Sequence, residues 1–292
     1  MPIPTETLEE IVTEAAGLAG IDGSEPRLLR NGSNAMFRLP GAVIARVAPA
    51  GRATIAEREV RVARWLAAEG LAVTTPLPGV PQPTLVGERP VTWWAALPPH
   101  RPGTPRELGA VLHDVHALPP PSFALPRHDP FHGISTRIHE TRALSDDERG
   151  WLSRHLARLR EEFAQQAPFR PPRLLHGDAW QGNLAVVDDS PPILLDFENV
   201  SLGDAAWDLV QIAVDHTDFA RISHDEYADF VGSYGDDVFA WPAYPLAAAV
   251  QELRWVAFAL SKADEPLAIP EIRHRVACIR GAVPKPWTWT AF

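Results

Sequence analysis

The polar residues best suited to chemistry lie in one short stretch of the chain. There, a His-Gly-Asp sequence ends at Asp178, Asn183 follows five residues later, and a second aspartate, Asp196, precedes a Phe-Glu pair. Between Asn183 and Asp196, the apolar runs NLAVV and PILLDF flank the polar sequence DDSPP, a pattern that predicts a β-hairpin. Because a hairpin brings its two ends together, we expect Asn183 and Asp196 to converge on one point.

An amide oxygen and a carboxylate at one point form a hard-oxygen site suited to Mg²⁺. This ion keeps some of its waters and takes further ligands from substrate phosphates, so a few protein oxygens suffice. Asp178 lies nearby on a loop, where it is placed to accept a proton from an attacking hydroxyl. Phosphoryl transfer needs these parts, a metal that neutralises phosphate charge and an acidic residue that orients the nucleophile. The stretch therefore predicts a phosphotransferase.

The sequence H-G-D-x4-N followed by D-F-E resembles the catalytic loop and metal-binding motif of protein kinases. With glycine after the histidine, and with Gly203, Asp204 and Asp208 downstream, the chain more closely resembles the aminoglycoside phosphotransferase family of small-molecule kinases. The resemblance covers most of the chain. It implies an α+β, bilobal, protein-kinase-like fold, with a small N-terminal lobe around an antiparallel sheet and a larger, mainly helical C-terminal lobe. It also implies transfer of the γ-phosphoryl group of ATP or GTP to a hydroxyl of a small molecule.

The resemblance gives roles to residues upstream. The turn at residues 31–35, which includes Ser33, is expected to cover the phosphates. Arg46 takes the place of the usual kinase lysine; the first 261 residues contain no lysine, and arginine binds phosphate bidentately. A glutamate on the next helix is expected to hold this arginine, and Glu59 fits the family motif better than Glu57.

The resemblance also places a hinge after the last strand of the small lobe. The sequence Trp-Trp-Ala-Ala-Leu supplies it, with backbone groups of Ala95 to Leu97 facing the adenine edge. Paired tryptophans are otherwise most often part of a hydrophobic core.

The acceptor side is less defined. Trp180 stands where the family's usual sequence differs, and we expect it on the acceptor side. Glu198 either supports the metal ligands or contacts the acceptor. Asp215 opens an acidic stretch over residues 215–237, followed by tryptophans. That stretch predicts either a pocket for an amino sugar or another cationic alcohol, or an ordinary solvated helix face.

Periodicity and turn signals divide the chain near residues 95–98. The first part is predicted to contain helices at 5–19 and 54–69 and strands at 27–30, 35–39 and 42–48. Further strands are predicted within 71–97, and the first strand of that segment covers residues 71–77. The second part is mostly helical, with capping boxes that begin at Thr104, Ser145 and Ser223, and with further helices at 243–262 and 270–281. We expect a nucleotide-binding lobe at 1–97, a hinge at about 94–98 and a catalytic and acceptor-binding lobe at 98–292.

Composition excludes several other classes of protein. With 292 residues, 46% hydrophobic and 22% charged, the chain is globular rather than disordered. Its net charge of −10 disfavours binding to nucleic acid, which needs a basic surface. A single cysteine, Cys278, cannot form an internal disulfide, and the sequence shows neither a secretory signal nor an apolar stretch long enough to span a membrane. We therefore expect a cytoplasmic protein that binds neither nucleic acid nor membrane.

Several functions are compatible with these residues. The acceptor is expected to be an aminoglycoside, an amino sugar, or another metabolite alcohol such as a choline-like or homoserine-like one. A catalytically silent, nucleotide-binding pseudokinase has only the arginine at position 46 in its favour, whereas the intact Asp178, Asn183 and Asp196 argue against it. A protein kinase is disfavoured because no A-P-E-like segment follows the D-F-E sequence.

Overall fold

The computed structural model describes residues 5–166, 171–188, 190–265 and 268–290. The chain divides into two compact units, each drawn from two stretches of sequence. The first unit comprises residues 1–103 and 181–200, and the second comprises residues 104–180 and 201–292. The segment predicted as a hairpin thus belongs to the first unit, although its sequence neighbours on both sides belong to the second. The division of nucleotide binding and catalysis at residue 97 stays a prediction.

The described helices and strands alternate in the first part of the chain and become mainly helical after it. In chain order the strands are β1 (Arg27–Asn31), β2 (Ala35–Leu39), β3 (Val43–Val47), β4 (Thr84–Val86), β5 (Arg89–Ala95), β6 (Arg101–Pro102), β7 (Arg173–Leu175), β8 (Leu184–Val186), β9 (Ile193–Leu194) and β10 (Ser201–Gly203). The helices are α1 (Thr5–Ala19), α2 (Ala53–Ala68), α3 (Pro105–Ala117), α4 (Ile134–Glu140), α5 (Asp146–Ala164), α6 (Trp207–Thr217), α7 (His224–Tyr234), α8 (Tyr244–Leu260) and α9 (Ala268–Ile279). None of these helices has the length and hydrophobicity that crossing a membrane requires.

A five-stranded antiparallel sheet forms the centre of the first unit, in the spatial order β1-β2-β3-β5-β4. Side chains alternate between the two faces of a strand. On one face, Phe37, Ala45 and Trp93 are buried in a core that includes the apolar side of α1. Arg46 follows Ala45 in β3 and therefore lies on the opposite face, directly across from Thr92 of β5. A charged residue is thus presented by a central strand without entering the α1 core.

The prediction of a strand over residues 71–77 is wrong. The backbone N–H of Thr74 donates to the carbonyl of Leu194 at 3.0 Å, whereas that of Leu77 donates to the carbonyl of Trp93 at 2.8 Å. The segment therefore changes its partner within three residues, and Pro76 has no N–H with which to continue a ladder. Only isolated bridges form here instead of a strand.

In the second unit, α8 is the central helix and packs against α4, α5, α6 and α9. Helix α3 packs along α7 and approaches it closely at Gly109, where a Cβ atom would lie 2.6 Å from the carbonyl oxygen of Phe230. Only glycine permits this approach. The three predicted capping boxes are confirmed at the starts of α3, α5 and α7, where Thr104, Ser145 and Ser223 each exchange hydrogen bonds with the glutamate three residues later.

Candidate active site

Arg46 is the centre of a charged cluster in the first unit. Its guanidinium forms an ion pair with Glu59 of α2, and its Nη2 lies 3.1 Å from Asp196 Oδ1 and 3.5 Å from Glu198 Oε2. Glu59 is buried on the side of α2 that packs in the unit. Of the two glutamates that the sequence offers on α2, it is therefore Glu59 rather than Glu57 that pairs with Arg46.

The cluster keeps the arginine charged. Burial acts to lower the pKa of Arg46, but the nearby carboxylates of Glu59, Asp196 and Glu198 outweigh it and raise the pKa above its usual value. Burial raises the pKa of Glu59 to about 7, and Asp196 and Glu198 act in the same direction against the attraction of Arg46. A permanently charged guanidinium, fixed by a strand and a helix, is suited to binding an anion.

The predicted hairpin is confirmed by β8 and β9. Leu184 pairs with Leu194, and the backbone N–H of Leu195 donates to the carbonyl of Asn183 at 2.9 Å. The chain positions of Asn183 and Asp196 are thus brought to the same end of the hairpin. Asp196 has a φ of 62°, in the left-handed region that non-glycine residues seldom adopt.

These two residues fit a hard divalent cation. Asn183 is buried, and 39% of the Asp196 side chain is exposed. An amide oxygen and a carboxylate are oxygen donors of the type that Mg²⁺ takes. Among the described ranges, no three His, Cys, Asp or Glu side chains are grouped to hold a metal ion. A cation held here would depend on water and phosphate oxygens for its remaining ligands.

The loop that carries Asp178 is braced within the second unit. Asp208, in the first turn of α6, accepts hydrogen bonds from the backbone N–H groups of His176 at 2.6 Å and Gly177 at 2.8 Å. Gly177 has a φ of 80°, in the region that favours glycine. The backbone conformation of the loop therefore explains why a glycine follows the histidine. Arg254 of α8 donates to the carbonyl of Gly177 at 3.3 Å.

Asp208 is buried and ionised. Burial raises its pKa, but the hydrogen bond from His116 at 3.0 Å, the nearby His116 and His176 rings and the N–H of Gly177 lower it below the usual value. His116 also contacts the hydroxyl of Tyr234 at 2.9 Å. A buried polar network therefore extends from α3 to the loop of Asp178.

Sequence reasoning did not identify Arg254 as part of this site. Burial lowers the pKa of Arg254, while Asp178 and Asp208 act to raise it, so both carboxylates lie within its electrostatic reach. The available signal was an arginine in the middle of the mainly apolar α8, which also contains the polar Gln251 and Glu252. A buried charge is costly unless it is paired, and its position therefore indicates a specific partner.

A profile of the phosphotransferase enzyme family matches residues 26–274. The chain belongs to this family. The prediction of a small-molecule kinase is thereby confirmed, with the nature of the acceptor still open. A search of curated protein sequences found no match.

Solved structures show that this phosphotransferase has the fold of small-molecule kinases. An amicoumacin kinase, in complex with AMP-PNP and Ca²⁺, has 13% sequence identity, covers 97% of both chains and has a TM-score of 0.73. A microcompartment-associated aminopropanol kinase has 19% identity over 92% of this chain and 94% of its own, with a TM-score of 0.70. A choline/ethanolamine kinase family protein from Mesorhizobium loti has 17% identity over 97% of this chain and 95% of its own, with a TM-score of 0.64. The predicted bilobal, protein-kinase-like class is confirmed.

Two further segments of the first unit carry predicted nucleotide contacts of this phosphotransferase. Ser33 is exposed in the turn between β1 and β2, which a backbone hydrogen bond from Gly32 to Asn34 closes. At the end of β5, the N–H of Ala95 donates to Thr75 at 3.0 Å, so that donor is used within the fold. Trp93 and Trp94 are buried, in line with a packing role.

The acidic stretch at 215–237 is not one uniform surface. Its members have separate partners within the second unit, among them Asp215 with Arg221 at 2.9 Å, Asp218 with Lys285 at 2.7 Å, Glu226 in a capping box and Asp237 with the Tyr227 hydroxyl at 2.8 Å. Trp180 is 44% exposed. Glu198, by contrast, precedes the acidic stretch in the sequence and lies beside Arg46 in the first unit. The structure thus groups Glu198 with the predicted nucleotide residues.

Proposed function

We propose that this phosphotransferase moves the γ-phosphoryl group of ATP to the hydroxyl of a small amino alcohol. The observation that carries the proposal is the buried pair of Arg46 and Glu59, with Asp196 on the same guanidinium. A structural ion pair needs only one carboxylate. A guanidinium shared between a helix glutamate and an aspartate of the metal-binding type is what a nucleotide-phosphate site requires.

On the nucleotide side, Arg46 binds the phosphates and Glu59 fixes its direction. The turn that contains Ser33 covers the phosphates with its backbone N–H groups. The carbonyl of Ala95 and the N–H of Leu97 pair with the adenine edge, since alternate residues of an extended backbone direct these groups to the same side. The N–H of Ala95 already donates to the carbonyl of Thr75, so we assign this role to the carbonyl of Ala95.

On the metal side, the oxygens of Asn183 and Asp196 hold Mg²⁺. When bound, the ion neutralises the charge of the phosphates during transfer. The chain contributes two oxygen donors at one hairpin end, and Asp196, with its positive φ, presents its carboxylate just beyond the end of β9.

At the acceptor, Asp178 accepts the proton of the attacking hydroxyl. The acceptor oxygen forms a bond to the γ-phosphorus, the bond from that phosphorus to the β–γ bridging oxygen breaks, and ADP leaves. Asp208 and Arg254 hold the loop of Asp178 through its backbone, so the carboxylate keeps one position through the transfer.

Two of the structural neighbours favour an amino alcohol as the acceptor. Aminopropanol and ethanolamine, named for two structural neighbours, both carry an amine beside a hydroxyl. The net charge of −10 favours the approach of a cationic molecule, and the exposed ring of Trp180 is available for a cation–π contact. We further propose that the enzyme acts in the cytoplasm, in agreement with a buried cysteine that forms no disulfide.

The test is ADP release with Mg²⁺ and ATP across small amino alcohols, amino sugars, aminoglycosides and the corresponding alcohols without an amine. We expect release that depends on an amino alcohol and is at least about 10³-fold lower in Asp178→Asn. Asp146→Asn, the same change on the exposed first turn of α5, is the matched control and should keep full activity. ATP binding without turnover on any acceptor would favour the silent pseudokinase, and turnover on amine-free alcohols alone would reject the amino-alcohol class.

A further inference from the structure

Glu198 receives three polar side chains from three separate elements of the first unit. Its Oε2 accepts a hydrogen bond from Asn34 Nδ2 at 3.2 Å and lies 3.5 Å from Arg46 Nη2. Its Oε1 lies 3.4 Å from Arg52 Nη2. Asn34 belongs to the turn before β2, Arg46 to β3 and Arg52 to the N-cap of α2. Three elements thus direct donors at one carboxylate.

The position of Glu198 is held by its backbone as well. Arg58 Nη2 donates to the carbonyl of Glu198 at 2.8 Å, and only 21% of the Glu198 side chain is exposed. Glu198 and its three side-chain partners line a small pocket, whose walls also include Ile55, Glu59 and Thr92. The carboxylate therefore occupies a defined site rather than a place on an open surface.

Guanidinium and amide donors of this kind bind phosphate as readily as carboxylate. A phosphate offers the same planar pair of acceptor oxygens to an arginine, with additional charge. Asn34 and Arg46 belong to the two elements that the proposed function assigns to the nucleotide phosphates. A carboxylate and a phosphate cannot accept the same hydrogen atoms at the same time.

We propose that Glu198 occupies a phosphate site formed by Asn34, Arg46 and Arg52 in the nucleotide-free protein, and that nucleotide phosphates displace it. Arg52, which no sequence pattern indicated, is then a further phosphate-binding residue. This inference rests on the proposed function, because it assumes that a nucleoside di- or triphosphate is the ligand. Nucleotide phosphates then have to compete with the carboxylate of Glu198. In the nucleotide-free protein this carboxylate pairs with the two arginines and competes with other anions for the site.

The experiment measures direct binding by isothermal titration calorimetry in the presence of EDTA, with ATP, ADP, adenosine and inorganic phosphate as ligands. Glu198→Gln keeps the shape of the side chain and removes the competing charge. We expect it to bind ATP and ADP about fivefold more tightly than the wild type, with adenosine unchanged. Arg52→Gln should weaken the binding of ATP and ADP by about the same factor, again with the affinity for adenosine unchanged.

Arg64→Gln is the matched control, since Arg64 lies exposed on the same helix and loses the same charge. It should bind all four ligands like the wild type. Circular dichroism and thermal melting verify that each variant is folded. If Glu198→Gln should not fold, Arg52→Gln and its control test the site alone.

The outcomes separate this inference from the function on which it rests. If the wild type binds ATP and Glu198→Gln binds it equally or less tightly, the displacement is rejected and the kinase proposal stands. If the gain extends to adenosine, the effect does not act through a phosphate site and the inference is also rejected. If inorganic phosphate gains as ATP does, with adenosine unchanged, the anion site is supported independently of the nucleotide. If the wild type binds no nucleotide with or without Mg²⁺, the proposed function itself is overturned.

Discussion

The carboxylate of Asp208 accepts a hydrogen bond from the backbone N–H of Gly177, 2.8 Å away. The same carboxylate accepts from His176, so one buried aspartate at the start of α6 determines the course of the loop just before Asp178. This bond connects a helix of the second unit to the backbone of the residue that precedes the proposed catalytic Asp178. It makes the shape of the loop a property of the fold, present without any ligand.

Asp208→Asn tests this brace. An amide in place of the carboxylate turns one acceptor into a donor toward groups that are themselves donors, and hydrogen bonds to charged groups contribute about 1.5–3 kcal/mol each. We expect the free energy of unfolding to fall by about 2 kcal/mol, measured by urea denaturation. Once an acceptor is known, kcat should fall with little change in the KM for ATP. Asp146→Asn is the control, and equal stability of the two variants would contradict the brace.

The ion pair of Arg46 and Glu59 is expected to couple strongly. Both side chains are mostly buried, at 14% and 6% exposed. Removal of Arg46 takes this counterion from the buried Glu59, and removal of Glu59 leaves Arg46 with Asp196 and Glu198 alone. Arg46→Met and Glu59→Leu should each lower the free energy of unfolding by about 3 kcal/mol, and the double variant should lose less than the sum of the two.

A double-mutant cycle by chemical denaturation gives this coupling energy. The surface pair of Arg158 and Glu162, with side chains 54% and 43% exposed, is the reference cycle and should give less than about 0.5 kcal/mol. Additive effects of the two changes at Arg46 and Glu59 would show that the buried pair is not energetically coupled.

His128 is expected to make the protein sensitive to acid. Burial, with the nearby Arg254, lowers its pKa to about 4 against the opposing effect of Asp208 and Asp129. The folded pKa is below the unfolded value of about 6.5, so stability is lost as the pH falls through 6.5 toward 4. The imidazole alone should account for a loss of about 2 kcal/mol between pH 7 and pH 5.

Urea denaturation at both pH values measures this loss. His128→Gln should show a smaller difference between pH 7 and pH 5 than the wild type does. His100→Gln, at an exposed histidine, serves as the control. An unchanged pH dependence in His128→Gln would mean that other groups cause the sensitivity to acid.

Glu252 is expected to make the protein less stable at alkaline pH. Burial, with a hydrogen bond to Asp218, raises its pKa to about 8 although Lys285 lies 3.1 Å away and acts to lower it. The folded pKa is above the unfolded value, so the folded state favours the protonated group and stability is lost as the pH rises toward 8. Glu252→Gln should therefore exceed the wild type by at least about 1 kcal/mol in unfolding free energy at pH 9, and match it at pH 5. A less stable variant at pH 9 would show that the ion pair with Lys285 dominates.

Local signals allowed much of the fold to be predicted from the sequence. The helices that begin after Thr104, Ser145 and Ser223 were predictable because a capping box involves only four consecutive residues. The hairpin of β8 and β9 was predictable for the same reason, since its pairing and its turn lie within one short segment. The segment 71–77 was not, because its partners, Leu194 and Trp93, lie in different parts of the chain and no local pattern reports the change between them.

The candidate site divides in the same way. Asp178, Asn183 and Asp196 were predictable as candidates because their spacing is local. Asn34 and Glu198 are 164 residues apart, and their contact follows from the packing of three elements, which no spacing rule describes. Arg254 likewise reaches Gly177 from a helix 77 residues further along the chain. Such contacts depend on tertiary structure, and the sequence shows only that a charge in an apolar helix needs a partner.

The allocation of residues 181–200 to the first unit has a consequence for biosynthesis. Because these residues follow 104–180 in the chain, a ribosome has to make a large part of the second unit before the first can be completed. A polypeptide that stops at residue 103 lacks β8, the partner of β6, together with both proposed metal ligands. Recombination at a single crossover therefore cannot exchange one complete unit for another.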